Sequence, residues 1–123
     1  MRTTRIAVVL AFALAMPAPA TARAARPTTL AGTEAAAYKG DYQAQRNLAY
    51  GYVAFPYEGQ IMNQILGCAW YLVVLHSGSP QVHEGDVGNV RVYCGRLDAD
   101  AQTAAVAQAR VIYRKVYQRS PGF

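Results

Sequence analysis

Long hydrophobic runs are missing from this 123-residue chain: its two longest, residues 6–15 and 65–75, have ten and eleven residues, and the second contains Gly67 and Cys68. An apolar helix needs about 20 residues to cross a bilayer, so neither run spans one. Histidine and cysteine are scarce, two of each, with no C-x-x-C and no H-x-x-x-H spacing. That excludes a recognisable metal-ligand set, and no cofactor fingerprint is present either. Charge is sparse at 15%, and six prolines and ten glycines in a chain that is 53% hydrophobic exclude disordered, collagenous and low-complexity classes. What remains suits one small packed domain.

The first residues read as a leader. Arg2 and Arg5 precede the apolar residues 6–15, and Pro17, Pro19 and a small-residue stretch follow. This is the build of a secretory signal peptide over residues 1–24. Small-x-small cleavage positions fall after Ala20 and after Ala24, and the second leaves fewer unstructured residues. Removing residues 1–24 also removes Arg2, Arg5 and Arg23, which lowers the net charge from +5 to +2. The basic character therefore belongs largely to the leader, and nothing points to nucleic acid as a partner. The expected product is periplasmic or secreted, without a membrane span.

Cys68 and Cys94 both lie after the leader. An even count in an exported chain reads as a disulfide, and with two cysteines the pairing is unique. A closed loop of 26 residues contributes about 3.5 kcal/mol in the chain-entropy picture. Two buried thiols, an intermolecular bridge and a catalytic cysteine are the competing readings. The last would need a histidine and an orienting carboxylate, for which Cys68, His76 and Asp86 are the only conceivable participants.

Along the mature part the pattern is helical. Residues 25–32 form a flexible lead-in containing Pro27, and the domain is expected over 33–119. Thr33 is the expected cap of a short Ala-rich helix ended by Gly40. Asp41 caps a second helix running through Tyr52, with Ala44, Leu48, Gly51 and Tyr52 on one face and Gln43 and Arg46 on the other. Residues 56–59 make a turn. Residues 63–77 are apolar nearly all round; their length and the steps Ile61, Ile65, Ala69, Leu72, Val73 and His76 favour a buried helix over a strand. Residues 81–88 read as a polar loop, and 89–93 as one or two helical turns or an extended piece. Asp98 caps a long last helix from Ala99 to about Gln118, with Ala105, Ala109, Ile112 and Val116 as its core stripe.

The segment KGDYQAQRNLAYGY at 39–52, followed by Ala69-Trp70-Tyr71 and by Gly78 eight residues after the tryptophan, resembles the Sel-one-like repeat, a helical hairpin related to the tetratricopeptide repeat. The resemblance covers residues 39–78, one unit. It implies an all-α, right-handed helical-hairpin array of about four helices, stapled here by one disulfide, in which Ala44, Leu48 and Tyr52 pack against Ala69 and Trp70. Gly40 and Gly78 would mark the turns. It also implies a protein-binding role, since the family consists of interaction scaffolds.

Nine tyrosines are the one overrepresented type. Most are expected at the rim of a small core; a partner surface, where one exists, is expected at Tyr42, Tyr50, Phe55 and Tyr57. Arg110 and Arg114 with Tyr113 and Tyr117 suit an acidic partner but are better explained as an ordinary basic helix end. His83, Glu84 and Asp86 in one loop read as solvated rather than as a weak cation site. The reading that follows is a small exported helical module, monomeric or a small homo-oligomer, that binds another protein, with an inhibitor or immunity type as its finer form. A small thiol or histidine enzyme and a structural envelope protein without a dedicated partner are the alternatives.

Overall fold

Each of the five α-helices among the described residues starts on a side chain that accepts a backbone N–H, and these caps set the boundaries. The computed structural model describes residues 26–123 and Ala15; the expected leader over residues 1–24, with its cleavage positions, otherwise lies outside the described residues. Helix α1 spans Leu30–Tyr38, α2 Tyr42–Val53, α3 Gln64–Leu75, α4 Glu84–Asn89 and α5 Ala99–Tyr117. No strand occurs among the described residues, and the five helices exceed the four expected. No described helix is long and apolar enough to cross a membrane.

Asp41, Asn63 and Asp98 accept from Ala44, Leu66 and Ala101 at 2.8, 2.9 and 2.8 Å, each satisfying an N–H that the first helical turn leaves without a partner. The cap of α1 is Thr29 rather than Thr33: Thr29 Oγ1 accepts from Gly32 N–H at 3.1 Å. Thr33 is buried inside the helix, and its hydroxyl donates to Thr29 O at 2.8 Å. Leu30 to Gly32, placed in the lead-in by the sequence reading, are therefore helical. Both threonines suit a cap locally, and packing of the extra turn decides between them: Leu30 lies against the core.

Gly40 ends α1 with φ +88°. Its N–H donates to Ala37 O, and that of Asp41 to Ala36 O, at 3.0 and 3.1 Å. This is the paired closure that requires a left-handed residue, which glycine adopts without steric cost. The chain then turns directly into α2, with its cap on Asp41.

Helix α3 is the centre of the fold. It packs against α2 on one side and α5 on another, and α1 lies on α2 and reaches α5. Gly67, Cys68, Ala69, Trp70, Tyr71, Val73 and Val74 are all buried, so α3 is enclosed nearly all round. Ile61 and His76, expected on its buried stripe, lie outside the helix: Ile61 is 84% exposed before it, and His76 caps its exposed end. In α5, Ala105, Ala109 and Ile112 are buried as expected, joined by Tyr113, while Val116 is partly covered. Trp70 fills the seam with Leu48 and takes the Tyr38 ring edge-on at 5.1 Å.

The Cys68–Cys94 disulfide joins α3 to the segment after α4. Helix α4 runs on without a break into a π-helical turn, Val90–Cys94. Residues 81–88, expected to be a polar loop, thus contain a helix, and the burial of one carboxylate, Asp86, accounts for it.

Gly67 governs the approach of α3 to α2. A Cβ there would run into the Val53 side chain and lie 3.2 Å from Ala49 O. Glycine in a helix interior ordinarily costs roughly 0.5–1 kcal/mol relative to alanine, yet Gly67→Ala is expected to destabilise by about 1–3 kcal/mol because the overpacking falls on backbone and a buried valine. Gly88→Ala, in α4 with open space at its Cβ, is expected to stabilise slightly. Urea midpoints of the two variants check this difference of sign.

Candidate functional site

The polar face of α2 carries Gln43, Arg46, Asn47 and Tyr50, whose spacing of three, four and seven residues puts them on one stripe. Opposite this stripe stand Tyr71 of α3, Asn89 at the end of α4 and Tyr93 in the π-helical turn. Together these seven residues line a cleft of about 230 Å³.

Asp86 builds this cleft from behind. It is 1% exposed, deep for a carboxylate, and a buried charge requires partners. Tyr42 Oη donates to Asp86 Oδ2 at 2.7 Å, and the His83 backbone N–H donates to the same oxygen at 3.1 Å. Arg46 Nε lies 2.8 Å from Oδ1. That contact is an ion pair rather than an aligned hydrogen bond, since neither atom has a hydrogen-bond partner of good geometry. His83 Nδ1 accepts from Gly85 N–H at 2.9 Å and caps α4. A six-residue helix containing two glycines has poor intrinsic propensity; this cap and the buried carboxylate hold it against α2.

The π-helical turn is held from the other side. Tyr93 stacks on Tyr71 with ring centroids 5.2 Å apart and planes within 11°, and its neighbour Cys94 is bonded to Cys68, one turn before Tyr71 on α3. Burial raises the pKa of Tyr71 well above its usual value, with Tyr93 adding to the shift and Arg46 opposing it. Its phenol is therefore a neutral O–H at the floor of the cleft. Burial, and then the bond to Asp86, also raise the pKa of Tyr42.

Of the four residues expected on a partner surface, Tyr50 and Phe55 stay exposed, at 45% and 76%, with ring planes within 2° of parallel and centroids 6.4 Å apart. Tyr57 is half-buried, and its backbone N–H bonds Gln60 Oε1. Tyr42 faces inward to Asp86 and offers no contact surface. Ile61 and Met62, which sequence reasoning did not nominate, are exposed on the same α2–α3 loop as Phe55. The loop that carries this rim is anchored by Gln60, whose Nε2 donates to Leu48 O at 3.2 Å and whose side chain fills the space over Gly51.

The expected repeat residues Gly40, Ala44, Leu48, Tyr52, Ala69 and Trp70 cluster at the α1–α2 turn and in the α2–α3 seam, while Gly78, with φ +75°, follows α3. In the α5 group, Arg110 and Arg114 are exposed while the tyrosines turn inward. Tyr113 is buried, Tyr117 shares hydrogen bonds with Gln45, and Arg110 Nε donates to Phe123 O at 2.7 Å. The three conceivable catalytic residues are not brought together. Cys68 is in the disulfide, His76 stacks on Phe123 at 4.3 Å with burial lowering its pKa, and Asp86 is enclosed by Tyr42, Arg46 and His83. The reading of His83, Glu84 and Asp86 as a solvated loop is corrected for Asp86, the deepest charge in the domain; one available signal was an acidic residue three positions after a cap. Among the described residues, no group of three or more His, Cys, Asp or Glu is placed to hold a metal ion.

No protein-family model matches this chain, and neither a curated protein nor a solved structure does.

Replacing Asp86 tests this construction. Asp86→Asn keeps the shape but leaves the Arg46 charge without its partner, and is expected to cost about 3 kcal/mol, the low end for a broken buried pair because Arg46 is part-exposed. Tyr42→Phe removes one hydrogen bond to a charged group and is expected to cost about 1.5 kcal/mol. Urea unfolding of both variants checks the order.

Proposed function

We propose that this chain is a small exported helical module, built on a divergent Sel-like hairpin, that acts by binding another protein. The observation that carries the reading is the exposure of Tyr50, Phe55, Ile61 and Met62, of which Tyr50 also lines a polar cleft that contains an arginine and lies parallel to Phe55. Aromatic residues and arginine are enriched where protein interfaces concentrate their binding energy, and an apolar rim held on an anchored loop loses little entropy on docking. The disulfide supports export, because such bonds persist in oxidising compartments, and the basic, apolar and small-residue order of residues 1–24 supports it independently. The α2–α3 pair supports the hairpin, with Leu48 and Trp70 in one seam and Gly40 at its entry. A small, stapled, exported domain of this kind suits a protein that seats on one partner and blocks it.

Site-specific photo-cross-linking in the producing cell tests the reading. A photoreactive residue at Phe55 is expected to give one discrete adduct with another protein. The same residue at Lys115, on the exposed side of α5, is expected to give none. Identical adducts from both positions, or no adduct from Phe55, would count against a dedicated partner and favour a structural role in the envelope.

A further inference from the structure

We propose that the cleft between α2, α3 and the π-helical turn receives a single carboxylate, the side chain of an Asp or Glu on the bound partner, with Arg46 as its ligand. The inference rests on the protein-binding reading and gives that partner a chemistry.

Arg46 is held at one end and open at the other. Its Nε faces Asp86 Oδ1, and the second oxygen of Asp86 is occupied by Tyr42 and the His83 amide. The Arg46 side chain, 26% exposed, forms part of the cleft wall, with its guanidinium 5.4 Å from the centroid of the Tyr42 ring. A guanidinium is a planar fork whose paired N–H groups match the two oxygens of a carboxylate. Here the fork is oriented in advance by a buried anion, so little rotamer freedom is left to lose on binding.

The surroundings favour the same ligand. No acidic side chain lines the cleft. Gln43 Nε2 donates to Asn47 Oδ1 at 2.8 Å, which leaves the Asn47 amide N–H groups as donors. Asn89 adds a second amide, and the neutral Tyr71 hydroxyl a third donor. Asp86 offsets the charge of Arg46, but the Arg96 guanidinium stands 5.0 Å from the centroid of the Tyr93 ring, so these three ionised groups leave the neighbourhood at +1. A buried pair with an additional cation nearby attracts an anion; a closed pair alone would not.

Size and shape narrow the occupant. At about 230 Å³ the cleft is smaller than the roughly 300–1,000 Å³ that suits drug-sized ligands. It admits one side chain, with flanking residues left to meet Tyr50 and Phe55 outside. A sugar of similar size would want an open aromatic face. Tyr71 stacks on Tyr93, Tyr93 also carries Arg96, and Tyr50 lies parallel to Phe55, so each aromatic ring lining the cleft is already paired within the fold.

The test is a nuclear magnetic resonance titration of the purified protein with acetyl-Glu-methylamide, its neutral isostere acetyl-Gln-methylamide, and N-acetylglucosamine. The glutamate compound is expected to shift the Arg46 Nε–H signal and the Asn47 and Asn89 side-chain amides saturably, with the glutamine compound about tenfold weaker. Arg46→Ala would strip Asp86 of its partner and threaten folding. Arg46→Lys retains the charge but not the fork, and Asn47→Leu removes a donor without touching Asp86; each is expected to weaken the glutamate titration several-fold, with thermal melting as the check on folding. Equal shifts from the glutamine compound, or shifts from the sugar alone, overturn the proposal. The Phe55 cross-link in Arg46→Lys separates this failure from that of the underlying reading. Its loss places the carboxylate on the partner, whereas an undiminished adduct overturns that assignment and leaves the protein-binding reading standing.

Discussion

A carboxylate with almost no solvent exposure must be neutralised or compensated, and Asp86 is compensated from three directions at once. Tyr42 and Arg46 reach it from α2, and the His83 amide reaches it from the cap of its own helix. Because α4 is short and glycine-containing, it has little stability of its own; its place in the fold is the place that satisfies Asp86. The π-helical turn inherits that position, and with it the presentation of Tyr93 and Cys94 to α3. The cleft is thus a by-product of burying one charge, with a wall from α2 and an opposite wall delivered by the segment that the charge holds.

The disulfide and the ion pair divide this work. Cys68–Cys94 fixes the far end of the segment covalently and reduces the entropy of the unfolded chain, but a single bond leaves the near end free to swing. Asp86 fixes the near end, and the Tyr71–Tyr93 stack sets the separation between the π-helical turn and α3. The remainder of the domain, α1 on α2 and α3 on α5, is a largely apolar assembly of alanine, valine, leucine and one tryptophan with Tyr71, Ile112 and Tyr113, and Val90 and Tyr93 pack against its edge.

Much of that apolar assembly is legible in the amino-acid sequence because its signals are local. Asp41 and Asp98 announce helix starts that the structure keeps, and the apolar residues after Asn63 are long enough to read as a buried helix despite their strand-like composition. Two cysteines allow one pairing. The candidate site is less legible because its determinants are 40 residues apart. The polar residues after Ser79 look like solvent-facing loop, and nothing within that window reveals that Arg46 and Tyr42, on the preceding hairpin, take up its one buried acid. The same logic misplaced Tyr42, whose inward role depends on Asp86. Thr33 reads as a cap from its local sequence; Thr29 fits equally well locally, and the packing of Leu30 decides for it. Of the exposed rim, Tyr50 and Phe55 follow from aromatic content, whereas Ile61 reads as core until the loop carries it outward, and Met62 carries no local signal of exposure.

The central claim is that Asp86 secures α4 and the π-helical turn while the apolar helices stand without it. Backbone hydrogen exchange resolved by residue in the Asp86→Asn variant tests this most directly, because it separates local opening from global unfolding. The account predicts that the amides of residues 86–92 lose nearly all protection while those of α3 and α5 remain slow. Equal loss of protection across the segment and the core would contradict it, and would make Asp86 one contributor to overall stability among many.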